Sequence, residues 1–169
     1  MKQHIQTLVG MIGSGKSSYA LNAAKKGFVI ISDDSIVESV HGGDYTLYDK
    51  SCQPIYKAVS ANILMSALAI GKSVIVDVGN RTRAVRQRWI GLAHMYDVPA
   101  YAIHFEKTDP KTHAQRRYDS DPRGLSYEKW LEVAHRHHDI FESVRDSEGF
   151  KDEVLASWKE IQSGYTFIP

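Results

Sequence analysis

Short apolar runs alternate with longer amphipathic stretches along the chain, and glycines mark many of the changeovers. Residues 4–9 are β-compatible and end at Gly10, whereas the alanine-rich residues 16–26 predict a helix stopped by Gly27. Residues 28–31 form a continuous apolar run, as expected of a strand covered on both faces. Asp33 or Asp34 then predicts the N-cap of a short helix. Residues 41–53, with Gly42, Gly43 and Asp44, read as a loop. From Ile55 the residues Val59, Ile63 and Ala67 recur at helical spacing as far as Gly71. Residues 73–76 predict another buried strand with Asp77 at its end. Residues 82–96 predict a helix that turns Val85, Trp89, Leu92 and Ala93 inward. A strand over 99–105, a helix over 109–118 with Pro110 in its first turn, and a long helix over 126–144 follow. The chain closes with a short strand at 153–156 and a docked tail.

Strands alternating with helices of about 10–15 residues imply βαβ units and a parallel sheet. The expected architecture is therefore α/β, three-layered α/β/α. Right-handed crossovers leave ligands at the carboxyl ends of the strands. Gly10, Asp33 and Asp77 all fall at such ends, which makes them candidates for one shared site.

Composition narrows the field. The 169 residues suit one domain over 1–169, with 43% apolar and 24% charged residues, which argues against a disordered or fibrous chain. Twenty-one Lys and Arg against 20 Asp and Glu give +1, so a polyanionic partner must be held by a local basic patch. Cys52 is the only cysteine, which excludes an internal disulfide and a multi-cysteine zinc cluster and leaves an inert thiol as the default. The longest nearly apolar stretch, 61–70, is about half of a membrane span, and the first residues lack a signal-peptide apolar region. A soluble, cytoplasmic protein is expected.

Residues 10–17, Gly-Met-Ile-Gly-Ser-Gly-Lys-Ser, fit the phosphate-cradling pattern G-x-x-x-x-G-K-[ST] and lie between a predicted strand and a predicted helix. Glycines let successive amides curl inward toward phosphate oxygens, and the following helix adds its positive end. Gly10, Ile12, Gly13, Ser14, Gly15, Lys16, Ser17 and Ser18 are the expected contacts for a nucleoside triphosphate. Lys16 reaches the outer phosphates and Ser17 a magnesium ion. Asp77 reads as the second, acidic partner of that ion. On the acceptor side Asp33 is positioned to take a proton from a hydroxyl, with Asp34 beside it. Residues 80–88 carry Asn80 and the arginines Arg81, Arg83, Arg86 and Arg88. On a helix Arg81 and Arg88 share a face. A solvated basic face is the plainer reading of the group, and Arg81 is the candidate to position an anionic acceptor. Arg116, Arg117 and Arg123 flank a polar segment suited to a lid over 116–126, which would neutralise a transferred phosphoryl group and exclude water. Trp89, Trp130 and Trp158 are expected to anchor the core. His135 and His138 read as helix surface rather than a metal site.

Taken in order, these pieces resemble the polynucleotide 5′-kinase branch of P-loop kinases, a group that includes phage and bacterial nucleic-acid repair enzymes and zeta-toxin-like kinases. The resemblance covers roughly residues 6–144 and rests on Gly-Met-Ile-Gly-Ser-Gly-Lys-Ser-Ser-Tyr-Ala, Ile-Ser-Asp-Asp, Gly-Lys-Ser-Val-Ile-Val-Asp-Val-Gly-Asn and the arginine-bearing lid. It implies ATP and magnesium on Lys16 and Ser17, Asp33 as general base, and Asp77 with Asn80 on the acceptor side. A lid arginine would clamp the phosphoryl group. The implied acceptor is a hydroxyl of a nucleic acid or nucleotide: a 5′ end first, then a hydroxymethylated base in DNA or a free nucleoside. An NTP-hydrolysing switch is the alternative of another class. These kinases commonly place an arginine three residues after the base, where this chain has Ile36.

Overall fold

The computed structural model describes residues 2–121 and 123–169; Met1 and Pro122, which fall within the expected domain and lid ranges, lie outside the described residues. Five strands, β1 (Ile5–Val9), β2 (Val29–Ser32), β3 (Val74–Asp77), β4 (Ala100–Phe105) and β5 (Asp152–Ala156), form one sheet in the order β2-β3-β1-β4-β5. All neighbouring pairs are parallel. The helices are α1 (Lys16–Ala24), α2 (Asp33–Val40), α3 (Gln53–Ala69), α4 (Arg83–Met95), α5 (Pro110–Ser120), α6 (Tyr127–Asp139) and α7 (Trp158–Gln162).

The apolar strands are covered on both faces, which produces the three layers. On one face Ile31, Val74, Val76 and Ile5 pack against Leu64 and Leu68 of α3 and Trp89 and Ala93 of α4. On the other, Leu8, Ile75, Ile103 and Phe105 pack against Tyr19, Ala20 and Ala23 of α1 and Ile161 of α7. Each of the fully buried Leu and Ile side chains contributes about 1.5–3 kcal/mol relative to exposure. The helices α5 and α6 stand apart as a hairpin with a small core of Ala114, Trp130 and Ala134, onto which Ile12 packs. The tail is docked as expected: the Gln6 amide donates to the Phe167 carbonyl at 2.9 Å, and the Tyr19 hydroxyl accepts from the Phe167 N–H at 3.0 Å. No helix among the described residues is long and apolar enough to cross a membrane.

Several local expectations need correction. Ser32, not Asp33 or Asp34, caps α2: its hydroxyl accepts from the Ser35 N–H, because strand and helix join there without an intervening loop. Both aspartates therefore occupy the first helical turn, where the positive end of the helix favours them. The helix α6 ends at Asp139 rather than 144, because the next residues turn back to pair with the start of α4: the Glu142 N–H donates to the Arg81 carbonyl at 2.9 Å. A short helix, α7, opens the tail through a Ser157–Glu160 capping box.

The arginine-rich segment is not one solvated face. Thr82 caps α4, so Arg81 lies outside the helix and shares no helical face with Arg88. Arg86 is fully buried, and its Nε and Nη2 donate to Glu148 at 2.8 and 2.7 Å. Its Nη1 also donates to the Asn80 and Glu142 carbonyls. Arg88 lies over the Trp89 ring and donates to the Lys57 carbonyl on α3. Removing one partner of a buried, bidentate pair leaves an uncompensated charge. Glu148→Ala is therefore expected to destabilise the fold by about 3–5 kcal/mol in urea denaturation, whereas exposed Arg83→Ala is expected to stay within about 0.5 kcal/mol.

Candidate active site

The segment between β1 and α1 curls back on itself. Gly13 and Gly15 take φ of 60° and 96°, a region that side chains rarely adopt. Close packing enforces the same choice: a Cβ on Gly13 would lie 2.5 Å from the His113 carbonyl oxygen of α5, and one on Gly10 would lie 2.8 Å from Phe105 Cβ. The Ser14 hydroxyl is buried inside the curl and has no hydrogen-bond partner among the described residues. Ser17 and Ser18 face outward in the first turn of α1. Ile12 turns its side chain onto the helical hairpin and so ties the curl to α5 and α6.

Lys16 crosses the curl, its Nζ donating to the Gly10 carbonyl at 3.1 Å and the Met11 carbonyl at 2.6 Å. Burial brings its pKa down to about 8, opposed by the Asp77 carboxylate and reinforced by Arg81 and Arg117. Asp77 ends β3 directly across from Ser32 of β2. Burial pushes its pKa up, while Lys16 and the Ser17 hydroxyl favour its ionised form. The strand order therefore sets Asp77, at the end of β3, beside Lys16 and brings Asp33, one strand over at the start of α2, within range of the Asp77 charge.

The Asp33 carboxylate accepts from the Gly79 N–H at 3.2 Å, and its pKa is raised chiefly by burial, with Asp34 and Asp77 adding to the effect. Asp34 accepts from Arg123 Nη2 at 3.1 Å, and Arg117 Nη2 stands 3.8 Å away. Arg123 also contacts Asp121 and lies 4.2 Å above the Tyr45 ring. Arg116 points elsewhere, 4.3 Å over the Trp158 ring. Trp158 is itself packed against Gly15. The arginines of the expected lid thus divide between two sides of the curl. Arg81 folds over Gly79, and its Nε has no partner among the described residues.

Asn80 departs from the acceptor-side expectation. Its amide is buried and donates to the Leu8 and Val76 carbonyls at 3.0 Å each, and its carbonyl accepts from Trp89 Nε1 at 3.0 Å. It ties the ends of β1 and β3 together and has no free side to offer a ligand. Sequence reasoning also missed Trp158, which was expected in the core and instead borders the curl, as well as Tyr45, His113 and His137. Burial lowers the pKa of His113 to about 4 and of His137 to about 3, which keeps both neutral near Lys16. Their positions depend on the packing of α5 and α6, for which no local motif exists. His135 and His138 are exposed, as expected of a helix surface.

A parallel sheet whose first strand feeds a glycine-lined curl and then a helix defines a P-loop NTPase of the kinase-type fold, and that fold implies nucleotide binding. Residues 6–139 match the model of an AAA domain family, and the chain belongs to that family. Among curated proteins none matches the sequence. Solved structures similar to it include the PezAT toxin–antitoxin system of Streptococcus pneumoniae, at 18% identity and a TM-score of 0.60, covering 94% of this chain and 70% of that one. Kti12 of Chaetomium thermophilum in complex with ADP-AlF3 is similar at 16% identity and a TM-score of 0.59, covering 95% and 92% of the two chains. Shikimate kinase of Acinetobacter baumannii in complex with shikimate is similar at 15% identity and a TM-score of 0.56, covering 95% and 88%.

The lowered pKa of Lys16 gives nucleotide binding a pH signature. A phosphate beside the amine raises its pKa, so the charge-dependent part of the affinity is complete below the free-protein value of about 8 and is lost as pH rises through it. Calorimetric titration with ADP should show affinity falling by up to about tenfold per pH unit above that point. In Lys16→Arg, whose guanidinium does not deprotonate, the inflection should vanish.

Proposed function

We propose that the protein is an ATP-dependent phosphotransferase that moves the γ-phosphoryl group to a hydroxyl of a nucleic acid or nucleotide, with a 5′-hydroxyl as the first expectation. The reading rests above all on Asp33. A solvent-accessible carboxylate, held by the Gly79 N–H, stands across the strand ends from the cradle that holds Lys16. Its raised pKa makes it a stronger base toward an acceptor hydroxyl than an ordinary carboxylate.

The nucleotide's outer phosphates draw Lys16 Nζ away from the Gly10 and Met11 carbonyls, and the amides of residues 12–18 surround them. The outward-facing Ser17 hydroxyl and the Asp77 carboxylate are hard oxygen donors that suit magnesium, an ion that keeps water and phosphate as its other ligands. No cluster of three or more His, Cys, Asp or Glu able to hold a metal occurs among the described residues. When bound, such an ion offsets the charge of the transferred group. Arg116 and Trp158 flank the nucleobase side beside Gly15. Arg117 and Arg123, on a lid over 116–126 of a single domain, exchange Asp34 and Asp121 for the phosphoryl oxygens. Asp34 and Arg81 then face the acceptor, Arg81 having no ion-pair partner among the described residues and being suited to an acceptor anion.

Asp33→Asn is expected to retain ADP binding but lower the turnover of label transfer from γ-labelled ATP to a 5′-hydroxyl oligonucleotide by about 10²–10⁴-fold. Undiminished transfer would assign the base elsewhere. Hydrolysis that labels no acceptor would make the protein a nucleotide-driven switch.

A further inference from the structure

Beside the acceptor flank the segment between α2 and α3 carries three tyrosines in a stepped stack. Tyr48 lies on Tyr56 at 5.7 Å with 28° between the ring planes, and Tyr45 follows on Tyr48 at 6.4 Å and 17°. The base of the stack is fixed: Tyr56 is buried, and its hydroxyl is held by His41 Nε2 at 2.6 Å and accepts from the Asp49 N–H at 3.3 Å. Asp44 and Asp49 each accept from the amide and hydroxyl two residues onward, which rigidifies the loop that carries the rings. The middle ring, Tyr48, is 42% exposed at its edge, and the outer ring, Tyr45, is partly buried. Tyr45 is the ring nearest the chemistry, for its phenol feels the charges of Asp33, Asp34 and Arg123.

The outer face of this stack already holds a planar partner. A planar guanidinium, that of Arg123, lies 4.2 Å above Tyr45 while donating to Asp34. An aromatic face that accepts a planar guanidinium also offers a surface on which a nucleobase can stack. Once Arg123 turns to a transferred phosphoryl group, the Tyr45 face is uncovered next to the proposed base. A non-aromatic polyol gains little from such a face, whereas a flat π-system gains stacking as well as burial.

We infer that Tyr45 is a stacking platform for the acceptor, and that the acceptor therefore carries a nucleobase on the sugar bearing the reactive hydroxyl. The inference rests on the proposed phosphotransfer with Asp33 as base and deepens it by naming what the acceptor flank recognises. Arg81, which also faces Asp33, would take an anion of the same acceptor and extend recognition from a nucleoside to a nucleotide or strand end.

The experiment measures transfer from γ-labelled ATP to four acceptors: a 5′-hydroxyl oligodeoxynucleotide ending in thymine, the same strand with an abasic 5′ end, thymidine, and the non-aromatic hydroxy acid shikimate. With the wild-type protein the KM for the thymine end should be about ten- to a hundredfold below that for the abasic end. Tyr45→Leu should raise the thymine-end KM to the abasic level with little change in kcat, and Tyr45→Phe should keep the preference. Melting curves of both variants verify that they are folded. Phosphorylation of thymidine as well as the strand places recognition in the base, while the strand alone adds a need for the anion; both support the platform. Equal KM values for thymine and abasic ends, equal losses on both in Tyr45→Leu, or preferred transfer to shikimate would overturn the platform and leave phosphotransfer standing. Failure to label any acceptor would overturn phosphotransfer and the platform together.

Discussion

Close main-chain approach at three glycines sets how β4, α5 and α7 gather around the cradle. Gly10 lies against Phe105 of β4, Gly13 against the His113 carbonyl of α5, and Gly15 against Trp158 and Ile161 of α7, each too close to accept a Cβ without displacement. The curl proposed to turn its amides toward phosphates is therefore also the surface on which a strand, the helical hairpin and the C-terminal helix dock. Arg116 and Arg117 take their positions from the Gly13 contact, because α5 carries all three groups. A side chain at Gly13 would disturb the curl and the α5 arginines together.

The second constraint is electrostatic. Lys16, Asp33 and Asp77 are each partly removed from water, and burial drives the lysine pKa down and the carboxylate pKa values up. Such shifts mark groups held in readiness for a charged partner and recur at reactive sites. Among the buried polar atoms without a partner in the described residues, Ser14 Oγ, Arg81 Nε and His137 Nδ1 lie in or near the cradle. Leaving a buried polar atom unpaired costs about 1–3 kcal/mol, a cost that folds concentrate where function requires it. His113 and His137, kept neutral by burial, add no further positive charge next to Lys16.

Much of this was readable from the chain, and what was not has a common cause. β2 and β3 announced themselves as short apolar runs that stop at aspartates, and Asp33 and Asp77 fell at strand ends for that reason. The cradle was legible because its residues are contiguous. Contacts between distant residues leave no local trace. Arg86 meets Glu148 across 62 positions, so a buried ion pair looked like part of a solvated basic face. Arg123 meets Asp34 across 89 positions, so the lid arginines could be named without foreseeing which carboxylate they would grip. Asn80 looked like an acceptor ligand because only the folded sheet shows two strand carbonyls consuming its amide. The short α7 carries a capping box, Ser157 with Glu160, that sequence inspection could have used.

The central claim is that one phosphate group gathers the cradle lysine and a lid arginine at the mouth of the sheet. A crystal structure with magnesium, ADP and aluminium fluoride tests it most directly. The account predicts that Lys16 Nζ leaves the Gly10 and Met11 carbonyls for the β-phosphate and fluoride, and that Arg123 or Arg117 leaves Asp34 for the fluoride. It also predicts that Asp33 faces the fluoride from the side opposite the leaving oxygen. A complex in which Lys16 still holds both carbonyls, or Asp33 points away from the fluoride, would contradict it.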